Sequence, residues 1–207
     1  MHFSLEDCST EPAYKCEECM EILSWDPQSL EQMADERCTY AFCRVVVQRY
    51  PHTFPWIPEK HMTEDLCSIA IEKDGELIAH APEHLLTAEL CCLAVRGSGM
   101  ALRNVPDRFR TYEVCNTAVR TIGMALEYVP DAHRTKEVCD AAVRSAGNKA
   151  LEFVPLRHRT ESMCALACKN DLLAERHVPV RCPCCQELIL REDLVPIWNN
   201  NGRSGLY

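Results

Sequence analysis

The chain is poor in several things that would steer it toward particular protein classes. It has only 7 glycines in 207 residues, so a glycine-rich or collagen-like chain is excluded. Basic charge is short: 22 Lys and Arg stand against 31 Asp and Glu, a net of −9. That deficit argues against sequence-independent grip on DNA or RNA, which needs a surplus of cations. No apolar run approaches the roughly 18 residues that span a bilayer. The opening MHFSLEDCSTEPAYKCEEC has neither a basic nor an apolar signal region, so no secretory leader is expected. No long period-2 alternation occurs and no Asn-Gly turn joins two β-like runs, so no strand is expected. Nucleophile elbows, phosphate-binding loops, zinc-protease helices and paired-carboxylate signatures are also missing.

Cysteine is abundant, at 15 residues. An odd number cannot pair completely. Without a leader, the expected compartment is a reducing cytoplasm with free thiols, the alternative being delivery into a host cell without a cleaved signal.

Proline sets a phase. Pro58, Pro82, Pro106, Pro130, Pro155 and Pro179 are separated by 24, 24, 24, 25 and 24 residues. A threonine (Thr63, Thr87, Thr111, Thr135, Thr160) and then a cysteine (Cys67, Cys91, Cys115, Cys139, Cys164) follow the first five prolines at fixed distances. The threonine suits a helix N-cap, its hydroxyl accepting from an orphan backbone N–H. Acids at Asp65, Glu89, Glu113 and Glu137 suit the positive helix start, and Arg96, Arg120, Arg144 and Lys169 suit the negative end. Pairs such as Val114-Cys115 and Ala118-Val119 make one buried helical stripe. Gly75, Gly99, Gly123 and Gly147 fall where a left-handed stop residue is expected. A shorter helix or 3₁₀ turn carrying Leu102, Leu126 or Leu151 then leads to the next proline.

One such unit cannot bury its own apolar face, but stacked units can. The expected fold is therefore all-α: a right- or left-wound α-solenoid of about five repeats with atypical capping ends. The expected domains are a cysteine-containing N-terminal cap with a degenerate first repeat (1–57), the tandem repeats (58–179) and a C-terminal cap with a tail (180–207). A zeroth unit is placed on Pro27 and Cys38, with a longer helix, and Phe54 and Trp56 are expected to cover the open end of the stack. The stretch QELILREDL is expected to form a C-terminal helical cap.

Two stretches carry candidate chemistry. Cys16-Glu-Glu-Cys19, with Cys8 nearby, and Cys182-Pro-Cys184-Cys185 are C-x-x-C turns that let two thiolates converge on tetrahedral zinc. Cys16, Cys19, Cys182 and Cys185 are the candidate metal ligands, as two half-sites, as one joint site, or as plain reduced thiols. A cluster on Cys8, Cys16, Cys19 and Cys38 fits no familiar iron–sulfur spacing. A thioredoxin-like role lacks its βαβ context. His61, His133 and His158 recur three residues after the proline and form a ladder that is either solvated or partner-facing. The Arg96, Arg120, Arg144 and Lys169 ladder is solvated, ion-paired, or turned toward phosphate or an acidic partner.

The consensus VPxxxRTxEVCxxAVxxxGxALxxVP resembles a family of tandem α-helical repeats of unknown function in bacterial and phage-borne proteins, some of them effector-like. The resemblance runs from about Thr63 to Val178, on the Thr, Cys, Ala-Val, Gly and Ala-Leu columns, and implies no catalytic residues. The 24-residue period is also similar in architecture to the leucine-rich repeat variant, whose units alternate α and 3₁₀ helices and whose known example has an N-terminal iron–sulfur cluster. The expected function is a non-catalytic protein-interaction module, a bacterial effector or regulator. Its alternative is a zinc-binding regulator, ubiquitin-ligase-like or nucleic-acid-binding, built on CEEC and CPCC.

Overall fold

The computed structural model describes residues 17–33, 37–170, 179–181 and 188–190. The chain is mostly helical. Its α-helices are α1 (Glu17–Trp25), α2 (Tyr40–Arg49), α3 (Glu64–Lys73), α4 (Ala88–Gly97), α5 (Tyr112–Thr121), α6 (Lys136–Ala146), α7 (Asn148–Leu151) and α8 (Glu161–Asn170). Six-residue 3₁₀ segments follow α1 to α5, at Pro27–Gln32, Pro51–Trp56, Gly75–His80, Gly99–Asn104 and Gly123–Tyr128. A three-residue 3₁₀ turn follows each of the prolines 58, 82, 106, 130 and 155.

The threonine column caps as expected. Thr63, Thr87, Thr111, Thr135 and Thr160 each accept, on the side-chain oxygen, from the backbone N–H three residues on, at 3.2–3.4 Å. Each contact satisfies one of the four N–H groups that a helix start leaves without a partner. One turn later the stripe is buried: Leu90, Cys91, Ala94 and Val95 in α4, then Val114, Cys115, Ala118 and Val119 in α5. Helices α2 to α6 pack each against the next, each six-residue 3₁₀ segment from Pro27–Gln32 to Gly99–Asn104 packs against the following one, and those from Pro51–Trp56 to Gly123–Tyr128 pack against the following helix. The core lies between these two layers and runs without a break from Met20 to Ala167.

The glycines do something other than expected. Among the described residues only Gly147 has a positive φ, at 60°. Gly75, Gly99 and Gly123 instead open the 3₁₀ segments and lie against the next helix. A Cβ there would fall 2.2 Å from the Ala94 carbonyl oxygen, or 2.4 Å from that of Ala118 or Ala142. Absence of a side chain, not freedom of φ, is the requirement. Gly147 belongs to the 25-residue unit. There the extra residue lengthens α6 to 11 residues, and the chain leaves it through the left-handed conformation into α7, which replaces the 3₁₀ segment.

The repeat also starts earlier, and in another phase, than expected. Thr39 caps α2 by accepting from Phe42 N–H at 3.3 Å, so the column cysteine of that unit is Cys43 and not Cys38. Thr39 precedes Thr63, and Cys43 precedes Cys67, by 24 residues. Helix α2 has 10 residues, the same as α3 to α5, and not the longer helix expected. Phe54 is fully buried and its 3₁₀ segment packs between two others, so it fills the core and does not close an end.

The expectation of no strands, and of a helix in QELILREDL, fails near the C-terminus. Pro179–Arg181 (β1) pairs antiparallel with Leu188–Leu190 (β2), Val180 opposite Ile189. Three consecutive apolar residues, Leu188-Ile189-Leu190, fit a short strand better than one helical stripe. Pro179 stands at the first strand position, where its missing N–H is tolerated.

Candidate functional site

The outer side of the helix layer repeats one chemistry from unit to unit. Arg96, Arg120 and Arg144 lie in the last turns of α4, α5 and α6 and are exposed. Lys169 is placed by its backbone alone, in α8. Arg144 pairs with Asp140 one turn back on its own helix. Arg96 and Arg120 make no ion pair among the described residues, and their guanidinium groups face solvent.

Between α5 and α6 these columns enclose an open groove of about 610 Å³, lined by Tyr112, Asn116 and Arg120 on one side and Glu137, Asp140 and Arg144 on the other. Tyr112 is 44% exposed although it is a large aromatic. The carboxylates at the helix starts are held ionised in two ways. Asp65 accepts from the Tyr40 hydroxyl at 2.6 Å and from Arg44 Nε at 3.3 Å, both on α2, and these contacts hold its carboxyl below the usual range. Glu137 is lowered by its own backbone N–H and by the Thr135 hydroxyl.

The opposite edge carries a device that the sequence reading overlooked. Arg110 donates from Nε to Val105 O at 2.8 Å and from a terminal nitrogen to Arg103 O at 3.1 Å. Its other terminal nitrogen reaches Tyr128 O, in the next unit, at 3.4 Å. Arg134 repeats this on Val129, Glu127 and Phe153, and Arg159 donates to Val154 and Glu152. Each guanidinium thus satisfies carbonyls at the end of one 3₁₀ segment, and in the first two cases also reaches the next unit. The visible signal was the Arg-Thr dipeptide at 110–111, 134–135 and 159–160.

The three histidines occupy equivalent 3₁₀ turns and are half-buried. His133 lines a second groove, of about 570 Å³, with Asp107, Arg110, Glu127 and Tyr128. His158 lies beside Arg157, which donates from Nε to its Nε2 at 3.2 Å. Nε2 of His61 is buried with no hydrogen-bond partner.

The column sulfurs are buried. Burial pushes the thiols of Cys67, Cys91, Cys115 and Cys139 up to about 11. In α5 and α6 they donate to the carbonyls of Arg110 and Arg134, at 3.6 and 3.8 Å. Among the described residues no group of three or more His, Cys, Asp or Glu could hold a metal ion. Cys16, Cys182 and Cys185 lie outside the described residues, and Cys19 is placed only by its backbone in α1. The residues joining β1 to β2 in sequence are Cys182-Pro-Cys184-Cys185-Gln-Glu. No helix among the described residues is long and apolar enough to cross a membrane. No protein family, curated protein or solved structure matches the chain.

Proposed function

We propose that the chain is a non-catalytic protein-binding module: an α-solenoid that presents the outer face of α4, α5 and α6 to a partner. The observation that carries this is the recurrence of one surface chemistry over a continuous apolar core. Each helix begins with an exposed carboxylate and ends with an exposed arginine, and the α5–α6 groove adds Tyr112. Tyrosine and arginine are the residue types that anchor protein interfaces most often. Units of fixed period also keep such groups at a fixed pitch, which suits an extended partner segment carrying carboxylates. The resemblance to effector-like tandem repeats agrees with this role and with action inside a cell. Nucleic acid is disfavoured as a partner by the net charge of −9.

The test is affinity purification of the full chain and of a variant with Arg96, Arg120 and Arg144 each changed to Glu. A specific protein should be held by the wild type and lost from the variant, with unchanged melting temperature. Equal retention by both overturns the assignment of this face. A partner-free chain with measurable turnover overturns the binding-module reading altogether. The alternative is a zinc-binding regulator built on the CEEC and CPCC motifs.

A further inference from the structure

One column of the turn edge is interrupted. Two residues after the repeat proline stand Lys60, His84, Arg108 and Arg157, but after Pro130 the residue is Ala132. Arg108 shows what a cation does there. It donates from one terminal nitrogen to Glu83 Oε1 at 2.8 Å and from the other to Glu83 O at 3.0 Å, both in the preceding turn. Its guanidinium also lies over the Phe109 ring, 4.8 Å from the centroid.

One unit later the receiving side is kept and the cation is replaced. Asp107 takes the place of Glu83, and His133 that of Phe109. Ala132 is exposed and offers a methyl group where Arg108 offers a guanidinium. The open groove of about 570 Å³ falls here, lined by Asp107, Glu127, Tyr128 and His133 among others. Its charge is reversed as well. Glu127 stands where the preceding unit has Arg103, which pairs with Glu76 at 3.0 Å. The cation in the wall, Arg110, is committed to the carbonyls of Val105, Arg103 and Tyr128 and to Asp107 at 3.2 Å. The Asp107 side chain is nevertheless 89% exposed, so its carboxylate can accept from a second cation. The repeat thus identifies the chemistry that fits the groove, because the chain fills the equivalent place with a guanidinium of its own.

We propose that the groove between the turns after Pro106 and Pro130 receives an arginine side chain of a partner protein. The guest takes the place that Arg108 fills one unit earlier. It forks onto the Asp107 carboxylate, lies against the His133 ring and is attracted by Glu127. A planar guanidinium suits these groups better than an ammonium, since it pairs with a carboxylate and stacks on a ring at once. One exposed ion pair is worth little, so the arginine serves as an anchor inside a wider contact. Its entry is independent of whatever the outer face of α4 to α6 binds.

The experiment is a titration of the full, isotope-labelled chain with the peptide acetyl-Gly-Arg-Gly-amide, read by backbone amide NMR. Saturable shifts are expected at Asp107, Ala132 and His133. The citrulline counterpart, of the same shape without the charge, should produce none of them at equal concentration. Asp107→Asn should weaken binding about fivefold. Ala132→Arg, which supplies the chain's own guanidinium, should abolish the shifts and leave the melting temperature unchanged or raised. Absence of saturable shifts at these residues, shifts scattered over the acidic surface, equal shifts with the citrulline peptide, or full binding by Ala132→Arg each overturn the proposal. Tighter binding of free L-arginine than of the peptide also overturns it, since the groove would then be a small-molecule site. Should Ala132→Arg fail to fold, Asp107→Asn decides, and undiminished binding there overturns it.

Discussion

The units on either side of Pro106 differ in side chain and in backbone at the turn before the helix: ψ is 118° at Met62 and 126° at Leu86, but 58° at Arg110 and 60° at Arg134. Ahead of Pro106 that position is Met62 or Leu86, and Leu86 is 8% exposed and packed into the core. After Pro106 it is Arg110, Arg134 and Arg159, whose guanidinium groups bind backbone carbonyls of their own turn. An apolar side chain stabilises the turn by burial. An arginine stabilises it by filling acceptors, and its planar fork can serve more than one at a time. The turn geometry therefore changes together with the side chain that occupies it, and so does the coupling of neighbouring units.

The largest way to break this comparison is through the backbone contact that both halves share. Gly75→Ala and Gly123→Ala each drive a Cβ into a carbonyl oxygen of the next helix. Neither partner is a flexible side-chain end, so each change should cost about 3 kcal/mol, near the top of the range for overpacking. The two costs should be similar, measured by chemical denaturation. Tolerance of one alone would show that the halves also differ at the contact between the 3₁₀ segment and the next helix. Gly97→Ala is the control. Its Cβ would meet nothing closer than 3.6 Å, so it should stabilise α4 by about 0.5–1 kcal/mol.

Next in size is the exchange of the two solutions themselves. Arg134→Leu gives a late unit the early side chain but removes donors from Val129, Glu127 and Phe153. With a net worth of about 1 kcal/mol per bond, and carbonyls left short of a partner, the loss should be about 2–3 kcal/mol. A loss below about 0.5 kcal/mol would mean that the arginine only fills space. The helix caps should instead ignore the boundary: Thr87→Ala and Thr135→Ala should each cost about 1 kcal/mol, equal within error in the same denaturation assay.

Much of this architecture was legible because each column answers to local physics. A threonine before a helix, a carboxylate in its first turn and small apolar residues on one stripe need only the helix itself. What could not be read depended on a neighbour. The role of Gly99 is written in the Ala118 carbonyl of the next unit, so a left-handed stop was the natural but mistaken expectation. Arg110 looks like surface charge until Tyr128 O is placed beside it. The unit headed by Thr39 was misphased because Ala34 stands where the marker proline would be and Cys38 imitates the column cysteine. Of the candidate sites, the Arg96, Arg120 and Arg144 ladder was visible from period alone. The groove beside Tyr112 was not, since it takes two helices to make.

The smallest effect separates the two halves at the acid column. Asp65 and Glu137 occupy the same position, and both carboxyls are held below their usual range. The folded state therefore favours the ionised form of each. That stability is present above the unfolded carboxylate range, about 4, and is lost as pH falls through the lower folded values. Asp65 depends first on the Tyr40 hydroxyl and then on Arg44, both across the interface with α2. Glu137 depends on its own backbone N–H and on Thr135, within its own helix start. Asp65→Asn should flatten the acid limb of the stability curve, and in a Tyr40→Phe, Arg44→Ala background it should do almost nothing more. Glu137→Gln should flatten the limb to the same degree whether or not α5 is altered at Tyr112 and Asn116. A reversed pattern, with Glu137 sensitive to the neighbouring helix and Asp65 indifferent to it, would place the inter-unit electrostatic coupling in the wrong half of the molecule.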